Sequence, residues 1–125
     1  MAIEFPPTLG PHEGRELELL LSGEKPIALF YEEVPDEFLS HLNSDNLKKI
    51  MKTFPTQHAN KTITFCLIYK NAPKSHLNEL LSILEQSLLQ KGFQPTIERR
   101  IGQLLGYRKI DIEYYLNHKI GRAHV

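Results

Sequence analysis

Residues Thr62–Lys70 read T-I-T-F-C-L-I-Y-K, a run rich in β-branched and aromatic side chains and free of Gly and Pro. Such side chains suit a pleated surface, so the run predicts a strand. Alternation sends Ile63, Phe65, Leu67 and Tyr69 to one face and Thr64, Cys66 and Ile68 to the other. Both faces are therefore apolar, and both need cover. Pro26–Glu32, P-I-A-L-F-Y-E, is the one comparable run, and most of the remaining chain has helical spacing. The predicted fold is α+β, or small α/β, with a two- to three-stranded sheet covered by four to five helices. A helical segment between the two runs permits a right-handed crossover, which predicts that they pair in parallel. Met1–Phe5 and the residues around Phe93 are candidates for further strand.

The helices follow from apolar spacing and punctuation. Gly10-Pro11 opens the first, Leu17, Leu20 and Leu21 form its buried stripe, and Gly23 ends it in a left-handed turn. Pro35-Asp36 opens a second, with Phe38, Leu39 and Leu42 as its apolar side. The polar run Asn43-Ser44-Asp45-Asn46 reads as a break and a fresh N-cap. Leu47, Ile50, Met51 and Phe54 then recur at i, i+3, i+4 and i+7 and predict a further helix ended by Pro55. Leu77, Leu80, Leu81, Leu84 and Leu88 predict a long helix from Ser75 to Gly92. Ile97, Ile101, Leu104 and Leu105 predict another after Pro95, with Gly106 as its terminator. Gly102 inside it costs about 1 kcal/mol relative to Ala and marks a close backbone approach. Arg108–His118 reads as a last short helix carrying Ile110, Ile112, Tyr114 and Leu116.

The length of 125 residues suits one domain with a single core. Fifteen basic and fifteen acidic residues cancel, so no global field draws the chain to nucleic acid or to an anionic membrane. Cys66 is the one cysteine, which excludes an intramolecular disulfide and a cysteine-rich zinc site and fits a reducing cytoplasm. No stretch approaches the roughly 20 apolar residues of a membrane span. The expectation is a soluble, cytoplasmic protein with no membrane partner.

The last six residues, Ile120–Val125, read I-G-R-A-H-V and resemble one translated frame of a common short-read sequencing adapter. The expected native domain is therefore 1–119, with the genuine chain continuing past Lys119.

Three constellations carry possible chemistry. His12-Glu13-Gly14-Arg15-Glu16 lacks the second histidine of a metalloprotease helix, because Glu16 stands at that position. His12 and Glu16 are still one turn apart and can share a proton or hold a metal weakly, as against a solvated first turn whose acids favour the helix dipole. Glu32 and Glu33 end the first strand, where a crevice forms in parallel architectures, as against a strand turning polar as it leaves the core. Arg99, Arg100, Tyr107, Arg108 and Lys109 form the one notable basic cluster, able to grip a phosphate or an acidic partner, as against a helix face of local ion pairs with Asp111 and Glu113. No phosphate loop, dinucleotide fingerprint or catalytic triad pattern is present. No cofactor and no metal site is expected.

Glu13–Phe30, E-G-R-E-L-E-L-L-L-S-G-E-K-P-I-A-L-F, with I-G-Q-L-L-G-Y at Ile101–Tyr107, resembles small uncharacterised bacterial proteins that pair such a helix–strand start with a late L-L-G-Y turn. The resemblance implies a bacterial, cytoplasmic, small α+β protein and transfers no functional residue. Three functions stay open. The first is a non-catalytic protein-binding or accessory module engaging a partner through a helical face or through Arg99, Arg100, Tyr107 and Arg108. The second is a small enzyme or ligand binder with a polar site near His12, Glu16, Glu32 and Glu33. The third is nucleic-acid binding, which needs Arg99, Arg100, Arg108 and Lys109 on one face without acidic cover.

Overall fold

The computed structural model describes residues 14–57, 60–89 and 94–123. Its centre is the predicted strand, here β3 (Thr62–Tyr69), with β1 (Ile27–Tyr31) on one side and β2 (Lys48–Pro55) on the other. Both pairings are antiparallel: Ile27 lies opposite Tyr69 in one, and Lys48 opposite Tyr69 with Pro55 opposite Thr62 in the other. The expected parallel pairing of β1 with β3 is thus wrong. The reason is that the segment between them is not a crossover helix but holds a third strand, which makes a hairpin with β3.

That third strand corrects the helix read at Leu47–Phe54. Residues four apart share a face in a strand as in a helix, so Ile50 and Phe54 satisfied either period. Residues three apart separate them. Leu47 is buried with Leu20, Phe38 and Ile68, whereas Ile50 packs with Phe54, Phe65 and Leu67 on the opposite side of the sheet. Met51, the residue a helix would have buried, is half exposed. The polar run before it is a reversal and not an N-cap, with Asp45 at φ +64°. Pro55 is tolerated because it ends an edge strand.

The faces of β3 fall as alternation requires. On one side Ile27, Phe65 and Leu67 pack with Leu77, Leu80 and Leu84 of α3 (Lys74–Leu89) and with Leu104 of α4 (Pro95–Leu104). On the other, Ala28 and Ile68 pack with Leu20 of α1 (Glu16–Ser22) and with Phe38. Phe38 lies in a 3-10 turn (Asp36–Phe38) that runs into α2 (Leu39–Asn43), where Leu39 is exposed and not part of the apolar side. Cys66 is buried and free, and burial pushes its thiol up. Gly23 ends α1 at φ +86°. The last helix, α5 (Lys109–Ala123), runs beyond the expected end at His118, since no proline stops it. It seats Ile112, Tyr115 and Leu116, one face of a 3.6-residue repeat, while Ile110 and Tyr114 stay exposed. Met1–Phe5, Pro11, His12 and Phe93 lie outside the described residues. No helix among the described residues is long and apolar enough to cross a membrane.

Candidate functional site

Between the β1–β3 face and the helices α3 to α5 lies a cavity of about 290 Å³. Its floor is Leu29, Tyr31, Ile63 and Phe65 from the sheet, and α3 adds Leu84, Ser87 and Leu88. The roof is Glu98, Ile101, Gly102 and Leu105, closed by Tyr107 and by Tyr115 of α5. Gly102 is buried on this wall, where its backbone borders the cavity. Mostly apolar walls with a few convergent polar groups are the usual make-up of a small-molecule site.

The polar groups come from distant parts of the chain. Lys25, just ahead of β1, is 3% exposed. Its Nζ donates to the Leu105 carbonyl oxygen at 2.7 Å and stands 4.4 Å from the centre of the Tyr107 ring. That carbonyl belongs to the end of α4, where the helix provides no partner of its own. Gly106 follows it at φ +83°, with the Gly106 amide donating to Gln103 and the Tyr107 amide to Gly102, the double bond pattern of a glycine-terminated helix. The turn therefore aims both Leu105 and Tyr107 at the lysine. Burial lowers the Lys25 amine to about 7, against the opposing pull of Glu16.

Tyr115 donates its hydroxyl to Glu98 Oε1 at 2.9 Å on the same wall. Burial first, and then the charge of Glu98, hold its phenol well above the usual tyrosine range. Tyr107 is pushed the same way, by burial and then by Glu16. The cavity thus holds an amine close to neutrality beside phenols that stay protonated. Such displaced acid–base groups in a cleft are a mark of functional sites.

Of the residues singled out from the sequence, Glu16 and Tyr107 reach this cavity. Glu32 and Glu33 do not line it. Glu32, at φ +66°, turns its carboxylate back to accept from the Thr64 amide at 2.9 Å while its own amide donates to the Thr64 carbonyl, so it extends the ladder beyond β1. Glu33 is exposed. His12 lies outside the described residues.

The three arginines of the basic cluster are each matched by an acid. Arg99 makes a two-pronged pair with Glu113, Arg100 with Glu79, and Arg108 with Asp111. Their hydrogen bonds hold the Glu113 and Glu79 carboxyls below the usual range. Arg99, Gln103, Tyr107, Lys109, Ile112 and Glu113 line a second, more open depression of about 300 Å³, with acid and base on the same wall. Among the described residues no three His, Cys, Asp or Glu side chains gather in a metal-holding group.

Lys25 escaped the sequence reading because Gly23-Glu24-Lys25-Pro26 looks like an ordinary polar turn. A signal was present. Extending the alternation of β1 back by two places Lys25 on the face of Ile27, Leu29 and Tyr31, the covered side of the sheet. The expected apolar set of the last helix names Tyr114 and not Tyr115, although Ile112, Tyr115 and Leu116 fall at i, i+3 and i+4. No family model, curated protein or solved structure matches the chain.

Proposed function

We propose that the protein binds a small, largely apolar molecule in the cavity between the β1–β3 face and helices α3 to α5. The observation that carries this reading is the convergence of a buried amine, two carboxylates and three phenols on one cavity with an otherwise apolar wall. It keeps Glu16 from the polar site expected near His12 and replaces Glu32 and Glu33 by Lys25, Glu98 and Tyr115. A bacterial cytoplasm is the proposed setting, in keeping with the unpaired, buried Cys66. Partner binding or nucleic-acid binding through the arginines is the less favoured reading, since each of Arg99, Arg100 and Arg108 already has a carboxylate in its fork.

The test is titration with N-phenyl-1-naphthylamine, a neutral apolar fluorophore. Saturable enhancement at one dye per chain is expected. Ile101→Trp adds bulk to a half-buried wall position and should weaken binding by about 10-fold or more, equivalent to about 1.4 kcal/mol. Overpacking of this kind costs about 1–3 kcal/mol of stability, so circular dichroism must show the variant still folded. The double change Arg100→Gln, Arg108→Gln should leave the titration unaltered. Enhancement that does not saturate, or that Ile101→Trp leaves intact, defeats the reading.

A further inference from the structure

We propose that Lys25 is a covalent anchor for an aldehyde: its Nζ, on the cavity wall between the Leu105 carbonyl and the Tyr107 ring, captures a small aromatic or aliphatic aldehyde as a Schiff base. The inference rests on the ligand-binding reading above and names the chemical class of the ligand.

The geometry supplies what imine formation needs. The amine is on the cavity wall and nine-tenths hidden from solvent, in a setting that excludes the bulk water favouring hydrolysis. Its hydrogen bond to Leu105 and its contact with Tyr107 restrict where the nitrogen can point. Apolar walls from Leu29, Phe65, Leu84 and Ile101 suit the hydrocarbon part of such a ligand. Nucleophilic lysines in other settings are activated by this kind of desolvation. With the amine at about 7, roughly half of it is neutral at pH 7, whereas on the order of one in a thousand ordinary lysines is.

The chemistry balances without an oxidant or reductant. The nitrogen lone pair forms a bond to the carbonyl carbon, the carbonyl π pair moves to oxygen, and one N–H proton passes to that oxygen, giving a carbinolamine. The second N–H proton and the hydroxyl then leave as water while the carbon–nitrogen double bond forms. Water that enters with the ligand carries these protons, and Glu16, on the same wall, is close enough for its charge to act on the amine. The net change is amine plus aldehyde to imine plus water.

Benzaldehyde with sodium cyanoborohydride at pH 7 tests this on the full chain, since hydride from the reagent turns any imine into a stable benzylamine. Peptide mapping by mass spectrometry should place the first benzyl group on Lys25, about 10-fold or more ahead of any other lysine. The preference should vanish in urea and be suppressed by saturating N-phenyl-1-naphthylamine. Benzylation of other lysines with Lys25 unmodified in the folded protein overturns the proposal, as does a Lys25 adduct that forms no faster than the rest. If the dye binds and Lys25 stays unmodified, the anchor fails and the pocket stands. If the dye does not bind either, both readings fall.

Discussion

Gly106→Ala is expected to destabilise the protein by about 3–5 kcal/mol, several times the effect of Gly23→Ala. The two glycines have nearly the same backbone, φ +83° and φ +86°, so an alanine meets the same left-handed strain of about 1–2 kcal/mol at either. Their surroundings differ. Nothing lies within 4 Å of a Cβ built on Gly23, whereas one on Gly106 overlaps Cδ of the Pro26 ring and comes within 3.3 Å of its Cγ. A proline ring cannot swing aside as the tip of a long side chain does, so the end of α4 must move away from the start of β1. That movement separates Leu105 from Lys25 and leaves a buried amine and a helix-end carbonyl without each other. Urea unfolding of the two variants beside wild type measures the contrast, and equal losses would contradict the packing described here. Gly106→Ala should also weaken dye binding in whatever fraction remains folded, because the same turn forms one wall of the cavity.

The centre of the fold was readable because β3 is unambiguous. Nine residues without Gly or Pro, apolar on both faces, admit one period, and each face then finds a helical layer. The long helix α3 was readable for the same reason, since Leu77, Leu80 and Leu84 fit a repeat of 3.6 and no other. β2 was not, because spacing by four is common to both periods and neither of its faces carries a continuous apolar row: Lys48 and Lys52 interrupt the side of Ile50 and Phe54, and Lys49 lies on the side of Leu47. What decides its form is the edge of β3, eight residues of unpaired backbone that a strand can satisfy and a helix cannot. That is tertiary information. The direction of β1 against β3 was lost with it, since a strand inserted between them changes the return path of the chain.

The site was harder to see than the fold. Lys25, Glu98, Leu105 and Tyr115 lie up to ninety residues apart in sequence and meet only after α4 and α5 have folded over the sheet, so no motif spacing records them. Charged residues that stand in groups are conspicuous in a sequence, and grouped charges are those that find opposite partners at the surface, as Arg99, Arg100 and Arg108 do with Glu113, Glu79 and Asp111. A lone lysine on the apolar side of a strand carries more information than a cluster, because a buried ammonium is costly and needs a reason.

That cost gives the protein an unusual dependence on pH. Stability should rise by about 2 kcal/mol between pH 7 and pH 9, and then level off and fall. In the unfolded chain Lys25 keeps its proton up to about 10.5, while in the folded protein it loses it near 7. Between those values the unfolded state binds more protons, so raising the pH favours folding; below 7 both states are protonated and the full penalty of the buried ammonium applies. The opposite holds for the buried Cys66 thiol, which in the unfolded chain begins to ionise near 9, and for Tyr107 and Tyr115, whose phenols burial keeps protonated after those of the unfolded chain have begun to ionise near 10. Above that pH the folded state binds more protons, and stability declines. Glu16 and Glu98 are the acidic side chains on the same cavity wall. Lys25→Met should abolish the rise while keeping the fall, because it removes the ammonium and leaves both tyrosines in place. At pH 7 the variant escapes the ammonium penalty but leaves the Leu105 carbonyl unsatisfied, a cost of about 1–3 kcal/mol, so it should be no less stable than wild type there and less stable at pH 10. Urea midpoints at half-unit steps from pH 6 to pH 11 decide the matter: a flat wild-type profile, or the same slope in Lys25→Met, means that the amine is not held near neutrality in this cavity.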